Sequence, residues 1–355
     1  MKIVRSFLTI LLAHLPLLVS AETTWLETSH DFGAFHEEDG EVSTTFHFVN
    51  TSDKPMAILR VRTSCGCTSP KYDKGAVSPG DTASIVVTFD PIGRPGKFSK
   101  TISVALSDNS PESKLTINGI VIGSAESVAK RYPVSCGNTL SLVRGAVMMG
   151  ETTKGELKTT YLEAYNRATH QVQPTVENLP PYIRVTTAPG DVMPGAQTTF
   201  IIYFDSHQCP TYGLVSDTIY VSAGDNLDEV CPIPVTAYVR ENFAKMNDKQ
   251  RAKAPHVRVE STSLDFGKLP AERVVRTTTI KNTGKSPLKV RRVYTEDAGL
   301  TAAVDNDTLK PGAEATILVE VDPSVLPGAL LNARITLITN DPEKPETIIR
   351  AVGEF

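Results

Sequence analysis

The chain has 355 residues, a formal net charge of −4, 40% hydrophobic and 21% charged residues, and five cysteines. Acidic and basic residues are interspersed, so the charge reads as solubility and argues against nucleic acid or anionic lipid as the main partner. At roughly 100 to 150 residues per domain, the length suggests two or three domains, each with its own core.

The first 21 residues, MKIVRSFLTILLAHLPLLVSA, have a basic start at Lys2 and Arg5, an apolar stretch from Phe7 to Val19, and small residues before Glu22. This is the pattern of a secretory signal peptide cut before Glu22. The stretch holds His14 and Pro16 and is shorter than the roughly 20 residues of a membrane span. No cysteine stands at the cleavage site to take a lipid anchor. The expected location is therefore exported, either periplasmic or at the cell surface, where paired cysteines oxidise.

Three related units follow. The first contains HDFGAF (30–35), FVNTSDKPM (48–56), SPGDTASIVVTFDP (78–91) and LTINGIV (115–121). Strands are predicted over Val42–Asn50, Ala57–Thr63 and Phe98–Leu106. The second unit contains LEAYNRATHQ (162–171), MPGAQTTFIIYFDS (193–206) and IPVTAYV (233–239), with a strand over Asp217–Ser222 and no DFG. The third contains LDFGKL (264–269), IKNTGKSPL (280–288), KPGAEATILVEVDP (310–323) and IIRAVG (348–353), with a strand over Arg334–Thr339.

Spacing ties the units together. Asn50 to Gly80, Asn166 to Gly195 and Asn282 to Gly312 span 30, 29 and 30 residues, and ten residues separate each glycine from Asp90, Asp205 or Asp322. Between them, apolar side chains fall at every second position: Ile85, Val87, Phe89; Phe200, Ile202, Phe204; Ile317, Val319, Val321. A period of two behind a Pro-Gly turn is a half-buried strand. Some seven short strands per unit of about 100 residues, with no long helical period, predict an all-β chain of three immunoglobulin-like β-sandwich domains in tandem. The boundaries are domain 1 over 22–123, a linker at 124–132, a divergent domain 2 over 133–240, a linker at 241–255 that reads as a helical turn or a flexible spacer, and domain 3 over 256–355. The antibody-type disulfide and core tryptophan are missing, since the single tryptophan is Trp25.

HDFGAF, FVNTSDKP, ILRVRTSCGCTSP and SPGDTASIVVTFDP resemble the bacterial family called domain of unknown function 1573. That family is similar to the immunoglobulin-like group of major sperm protein and the pilus-chaperone N-terminal domain. The resemblance covers residues 30–121 well and the third unit in outline, and it implies an exported β-sandwich.

Chemistry concentrates at Cys65-Gly66-Cys67. Counted from the marker asparagines, the second unit has Pro181 and the third Asp297 in the place of Cys65, so the sandwich itself does not require cysteine there. A disulfide closing so small a ring contributes at most about 1–2 kcal/mol by restricting the unfolded chain. Gly66 permits the tight backbone. Three readings are open: a local disulfide or thiol pair, a site of thiol exchange or tethering, and two thiolates holding Cu(I). A structural zinc site needs four ligands, and no second cysteine or histidine motif completes one.

Cys136, Cys209 and Cys231 lie in the second unit. If Cys136 opens its first strand and Cys231 its last, the parallel arrangement implied by the resemblance starts both at one end, where they could pair. Cys209 is then free or intermolecular.

TGKS at 283–286 lacks the earlier glycine of a phosphate-binding loop, because Thr279 stands there, and it reads as a turn. His47, alternating with Phe46 and Phe48, is expected at the surface with His30 and His36, and the alternative for these histidines is a Cys-His metal site with the cysteine pair. Asp90 and Asp322, before prolines, read as turn-forming. No motif marks a nucleophile, base or cofactor site, so neither catalysis nor a cofactor is expected. The expected role is an exported binding or structural module that meets a protein or glycan of the cell envelope, and the alternative is thiol exchange or copper handling through Cys65 and Cys67.

Overall fold

In the computed structural model the alternating apolar positions become strands with fully buried inner faces. The structure describes residues 23–108, 110–224, 230–326, 328 and 330–354. The predicted signal peptide lies outside the described residues. Ile85, Val87, Phe89, Phe200, Ile202, Phe204, Ile317, Val319 and Val321 are all at most 1% exposed, as the period of two requires. Contacts divide the chain into two compact units, one ending at Lys130 and the other beginning at Arg131.

The first unit is one sandwich. It runs through β1 (Thr23–Trp25), β2 (Ser29–His36), β3 (Val42–Asn50), β4 (Ile58–Thr63), β5 (Thr68–Tyr72), β6 (Thr82–Phe89), β7 (Gly96–Leu106) and β8 (Ser113–Ile122). One sheet has the order β1-β3-β6-β5 and the other β2-β8-β7-β4. Phe46, Phe48, Phe89, Ile102, Leu115 and Ile117 form its core. Trp25 does not sit at that centre. It tilts against Phe48 with ring centroids 5.1 Å apart and donates through Nε1 to Ser113, closing one end of the sandwich. The predicted first linker is structured, with α1 (Ala125–Arg131) burying Val128.

The second unit holds two sandwiches. The first of them comprises β9 (Val134–Cys136), β10 (Leu140–Leu142), β11 (Val147–Thr153), β12 (Leu157–Asn166), β13 (Thr175–Glu177), β14 (Ile183–Ala188), β15 (Gln197–Asp205), β16 (Gly213–Ser222) and β17 (Cys231–Arg240). Its sheets are β14-β15-β12-β10-β9 and β11-β17-β16-β13. A connection containing α2 (Asp248–Arg251), the helical turn among the two readings of 241–255, leads to the other sandwich. That one comprises β18 (Val257–Val259), β19 (Ser263–Lys268), β20 (Val274–Asn282), β21 (Leu288–Thr295), β22 (Leu300–Val304), β23 (Thr308–Leu309), β24 (Glu314–Val321), β25 (Leu330–Thr339) and β26 (Glu346–Glu354), in sheets β18-β20-β24-β22 and β19-β26-β25-β21-β23.

In every sandwich an early strand runs parallel to the last one and carries a bulge: β2 with β8, β11 with β17, β19 with β26. The sandwiches are therefore three versions of one immunoglobulin-like topology. TGKS is the turn between β20 and β21, where Thr283 and Lys285 donate to the carbonyls of His256 and Ala254.

Candidate functional site at the Cys65–Cys67 loop

Residues 64–67 carry the chain from β4 in one sheet to β5 in the other. Both sheets pin this crossing through the backbone. Ser64 N–H donates to Thr101 O at 3.0 Å, and Asp90 N–H donates to Cys67 O at 3.0 Å. Ser64 Oγ accepts from Thr101 N–H at 3.2 Å, and Thr63 Oγ1 donates to Cys65 O at 2.9 Å.

Within that frame Cys65 and Cys67 form a disulfide across a sequence separation of 2. The two sulfurs have different surroundings. Cys67 is 7% exposed and belongs to the core, whereas Cys65 is half-buried against it and Gly66 between them is exposed. The buried Thr68 hydroxyl lies 3.5 Å from Cys65 Sγ and 3.9 Å from Cys67 Sγ. Because disulfide sulfurs carry no hydrogen, the hydroxyl is the donor, and its single hydrogen serves one sulfur at a time or is shared between the two.

The corresponding loops of the other sandwiches use ordinary turn chemistry. In the second, Ile183 N–H donates to Pro180 O. In the third, the Asp297 carboxylate accepts from Arg334 N–H at 2.7 Å, tying the loop to β25. The crossing thus closes without sulfur in two cases of three.

The histidines of the first sandwich are dispersed. His30 stands 3.5 Å from Glu27 and edge-on to Phe32, the His36 side chain is exposed, and His47 is half-buried on the outer face of β3. Among the described residues no group of three or more His, Cys, Asp or Glu side chains is arranged to hold a metal ion. A two-coordinate Cu(I) site would need Cys65 and Cys67 reduced to thiolates.

Cys136 and Cys231 form the second disulfide, with a sequence separation of 95. Cys136 is 2% and Cys231 8% exposed. The parallel-strand premise for this pairing is corrected: the strand parallel to β17 is β11, and Cys136 instead closes β9 in the opposite sheet. The bond therefore staples one sheet to the other. Cys209 is unpaired and fully buried, its Sγ 3.7 Å from Thr211 O.

A second polar cluster joins the two sandwiches of the second unit. The Arg291 guanidinium donates twice to Glu241, at 2.6 Å each. Arg292 donates to Leu214 O at 2.6 Å and stacks over Tyr294, whose hydroxyl accepts from Leu214 N–H at 3.1 Å. Tyr238 donates to Glu346 at 2.5 Å. Burial first, and then the Glu346 carboxylate, push the Tyr238 hydroxyl far above its ordinary pKa. A cleft of about 370 Å³ beside this contact is lined by Leu214, Tyr238, Tyr294, Asp297, Arg334 and Glu346. The register of β21 against β25 shifts between Val290 and Arg292, so strict alternation fails there and both adjacent arginines reach groups of the neighbouring sandwich.

Residues 23–121 match a family described as "Protein of unknown function (DUF1573)", and residues 255–354 match a family described as "HYDIN/CFA65/VesB-like, Ig-like domain". No curated protein matches the chain. A solved protein of unknown function from Porphyromonas gingivalis W83 is 22% identical, with a TM-score of 0.49 over 61% of this chain and 100% of that one. The ASH / PapD-like domain 7 of human CEP192 is 11% identical, with a TM-score of 0.23 over 32% of this chain and 93% of that one. The C. elegans MSP family member WR4 is 13% identical, with a TM-score of 0.21 over 29% and 99% respectively.

Proposed function

We propose that the chain is a non-catalytic, exported module of tandem immunoglobulin-like sandwiches that binds a protein or glycan of the cell envelope through its sheet edges and loops. Export is supported by the signal-peptide pattern of residues 1–21 together with two disulfides. No helix among the described residues is long and apolar enough to cross a membrane.

The observation that carries the binding role is an edge. Among the described residues β4 pairs with β7 alone, so its other side offers backbone donors and acceptors to an added strand. Leu59 on this edge is 62% exposed, and Arg60 and Arg62 are exposed beside it. The register shift between Ile58 and Arg60 and the exposed Arg62 discourage pairing with another copy, while Arg62, and Arg60 where it exchanges its 2.8 Å pairing with Glu112, leave room for a matched, acidic extended segment.

A photocrosslinking residue placed at Leu59 in the exported full-length protein tests this, with Val86 on the opposite sheet as control. Adducts at Leu59 that disappear in Arg60→Glu/Arg62→Glu support the edge. Adducts at Val86 alone, or at neither position, reject it.

A further inference from the structure

We propose that the Cys65–Cys67 disulfide is exchange-active, with Cys65 as the sulfur attacked and Cys67 as the leaving group. This goes beyond the binding role. It rests on four features of the loop and on comparison with the other disulfide of the same chain.

First, the bond is not needed to hold the crossing, because backbone hydrogen bonds to Thr101 and Asp90 pin it to both sheets, and the two other sandwiches close the same crossing without sulfur. Second, a ring closed across a separation of 2 restricts the unfolded chain little, whereas Cys136–Cys231 closes a loop of 95 residues. Third, the sulfurs are asymmetric: a thiolate in solution meets half-buried Cys65 beside exposed Gly66, while Cys67 is 7% exposed. Fourth, the Thr68 hydroxyl lies 3.5 Å from Cys65 Sγ and 3.9 Å from Cys67 Sγ, so once the bond opens it can turn its one hydrogen to a thiolate formed at Cys67, which lowers the cost of making that charge in an apolar setting.

The step balances as follows. An incoming thiolate RS⁻ attacks Cys65 Sγ, the Cys65–Cys67 bond breaks, a mixed disulfide RS–Cys65 forms, and Cys67 leaves as a thiolate. A second thiolate attacks the sulfur of R, releasing RSSR and leaving the Cys65 and Cys67 thiolates. Two electrons pass from the two thiols to the disulfide. The co-reactant is a thiol, supplied either by a small molecule or by a cysteine of another protein.

The test uses the oxidised full-length protein and its second disulfide as internal control. The protein is exposed separately to glutathione and to a cysteine-containing peptide, quenched by alkylation and mapped by mass spectrometry. Cys65–Cys67 is expected to open about tenfold or more faster than Cys136–Cys231, with the adduct on Cys65 and thermal unfolding of the first sandwich nearly unchanged. Preference for the peptide identifies a protein thiol as the natural source, and preference for glutathione a small one.

Cys67→Ser, offered glutathione disulfide in place of the thiol, is expected to accumulate the mixed disulfide at Cys65: the Cys65 thiolate attacks one sulfur, a glutathione thiolate leaves, and no neighbouring thiol resolves the product. Thr68→Val should slow opening several-fold, with Thr68→Ser restoring it. Opening no faster than the internal control, an adduct on Cys67, or unfolding of the first sandwich on opening would each overturn the proposal. The wild-type measurement decides this even if a variant fails to fold.

Discussion

Asn50, Asn166 and Asn282 end β3, β12 and β20, and each is completely buried. The amide nitrogen donates to two carbonyls in every case: Lys54 and Val77, His170 and Val192, Ser286 and Leu309, all at 2.8–2.9 Å. The amide oxygen accepts from the backbone N–H two residues on, at Ser52, Ala168 and Gly284. The backbone C=O accepts from Gly80, Gly195 and Gly312. One side chain thus satisfies backbone groups that would otherwise be buried without partners. Asn282→Ala should cost roughly 2–4 kcal/mol, because it orphans several such groups at once, read as a lower denaturation midpoint for the second unit. An unchanged midpoint would mean that water substitutes for the amide. The 30-29-30 spacing made these positions legible as markers, and the period of two made Ile85, Phe200, Ile317 and the alternate residues after them legible as core. Their role was not legible, because the second carbonyl lies 26 or 27 residues away and only the folded sheet brings it near.

At the scale of elements, the DFG words of the first and third units are bulges. Asp31 and Asp265 accept from Gly33 and Gly267 N–H at 2.9 and 2.7 Å, with φ of +68° and +59° at the glycines. The second sandwich keeps the bulge at Gly150, φ +69°, without the aspartate or the phenylalanine. The geometry is what recurs, so a search for the words finds only two of the three. The stretch 124–132 reads as a linker in the sequence, and helix α1 within it buries a single side chain, Val128. Its anchor is a distant carboxylate. Glu37, 3% exposed, accepts from Gly93 N–H at 2.6 Å, Ser124 N–H at 2.9 Å and Ser127 Oγ at 2.6 Å. Burial alone would raise its pKa, but these donors outweigh it and hold the carboxyl below its ordinary value. A depressed folded pKa contributes stability that is present above the unfolded value, about 4.3, and is lost as the pH falls through the folded value. The protection of the α1 amides relative to their intrinsic exchange rates should therefore fall on acidification below that range in the wild type. Glu37→Gln should already exchange faster at neutral pH and show a flatter pH dependence. Parallel acid profiles for the two proteins would remove Glu37 as the anchor.

For the molecule as a whole, the question is whether the second and third sandwiches behave as one body. The stretch 241–255 reads as a linker, a helical turn or a flexible spacer, and nothing local to it reveals that Glu241 at its start is held by Arg291 of β21, fifty residues on. The contact leaves the Arg291 and Glu241 side chains only 26% and 16% exposed, so the pair is partly desolvated and its loss is costlier than that of a surface pair. Gly213 adds a steric condition. At φ +77°, a Cβ there would lie 2.5 Å from Ile338 Cδ1 and 2.9 Å from the Tyr294 hydroxyl, so the two sandwiches approach this closely only because the position has no side chain. Calorimetry of the wild type should show the second unit unfolding in one transition. Arg291→Glu should cost roughly 2–4 kcal/mol by leaving like charges face to face, and split that transition in two. The exchange Arg291→Glu with Glu241→Arg should restore a single transition, since the pair then re-forms with its signs reversed. Two transitions in the wild type, or no rescue by the exchange, would mean that the sandwiches fold independently and that the arginine acts within its own domain.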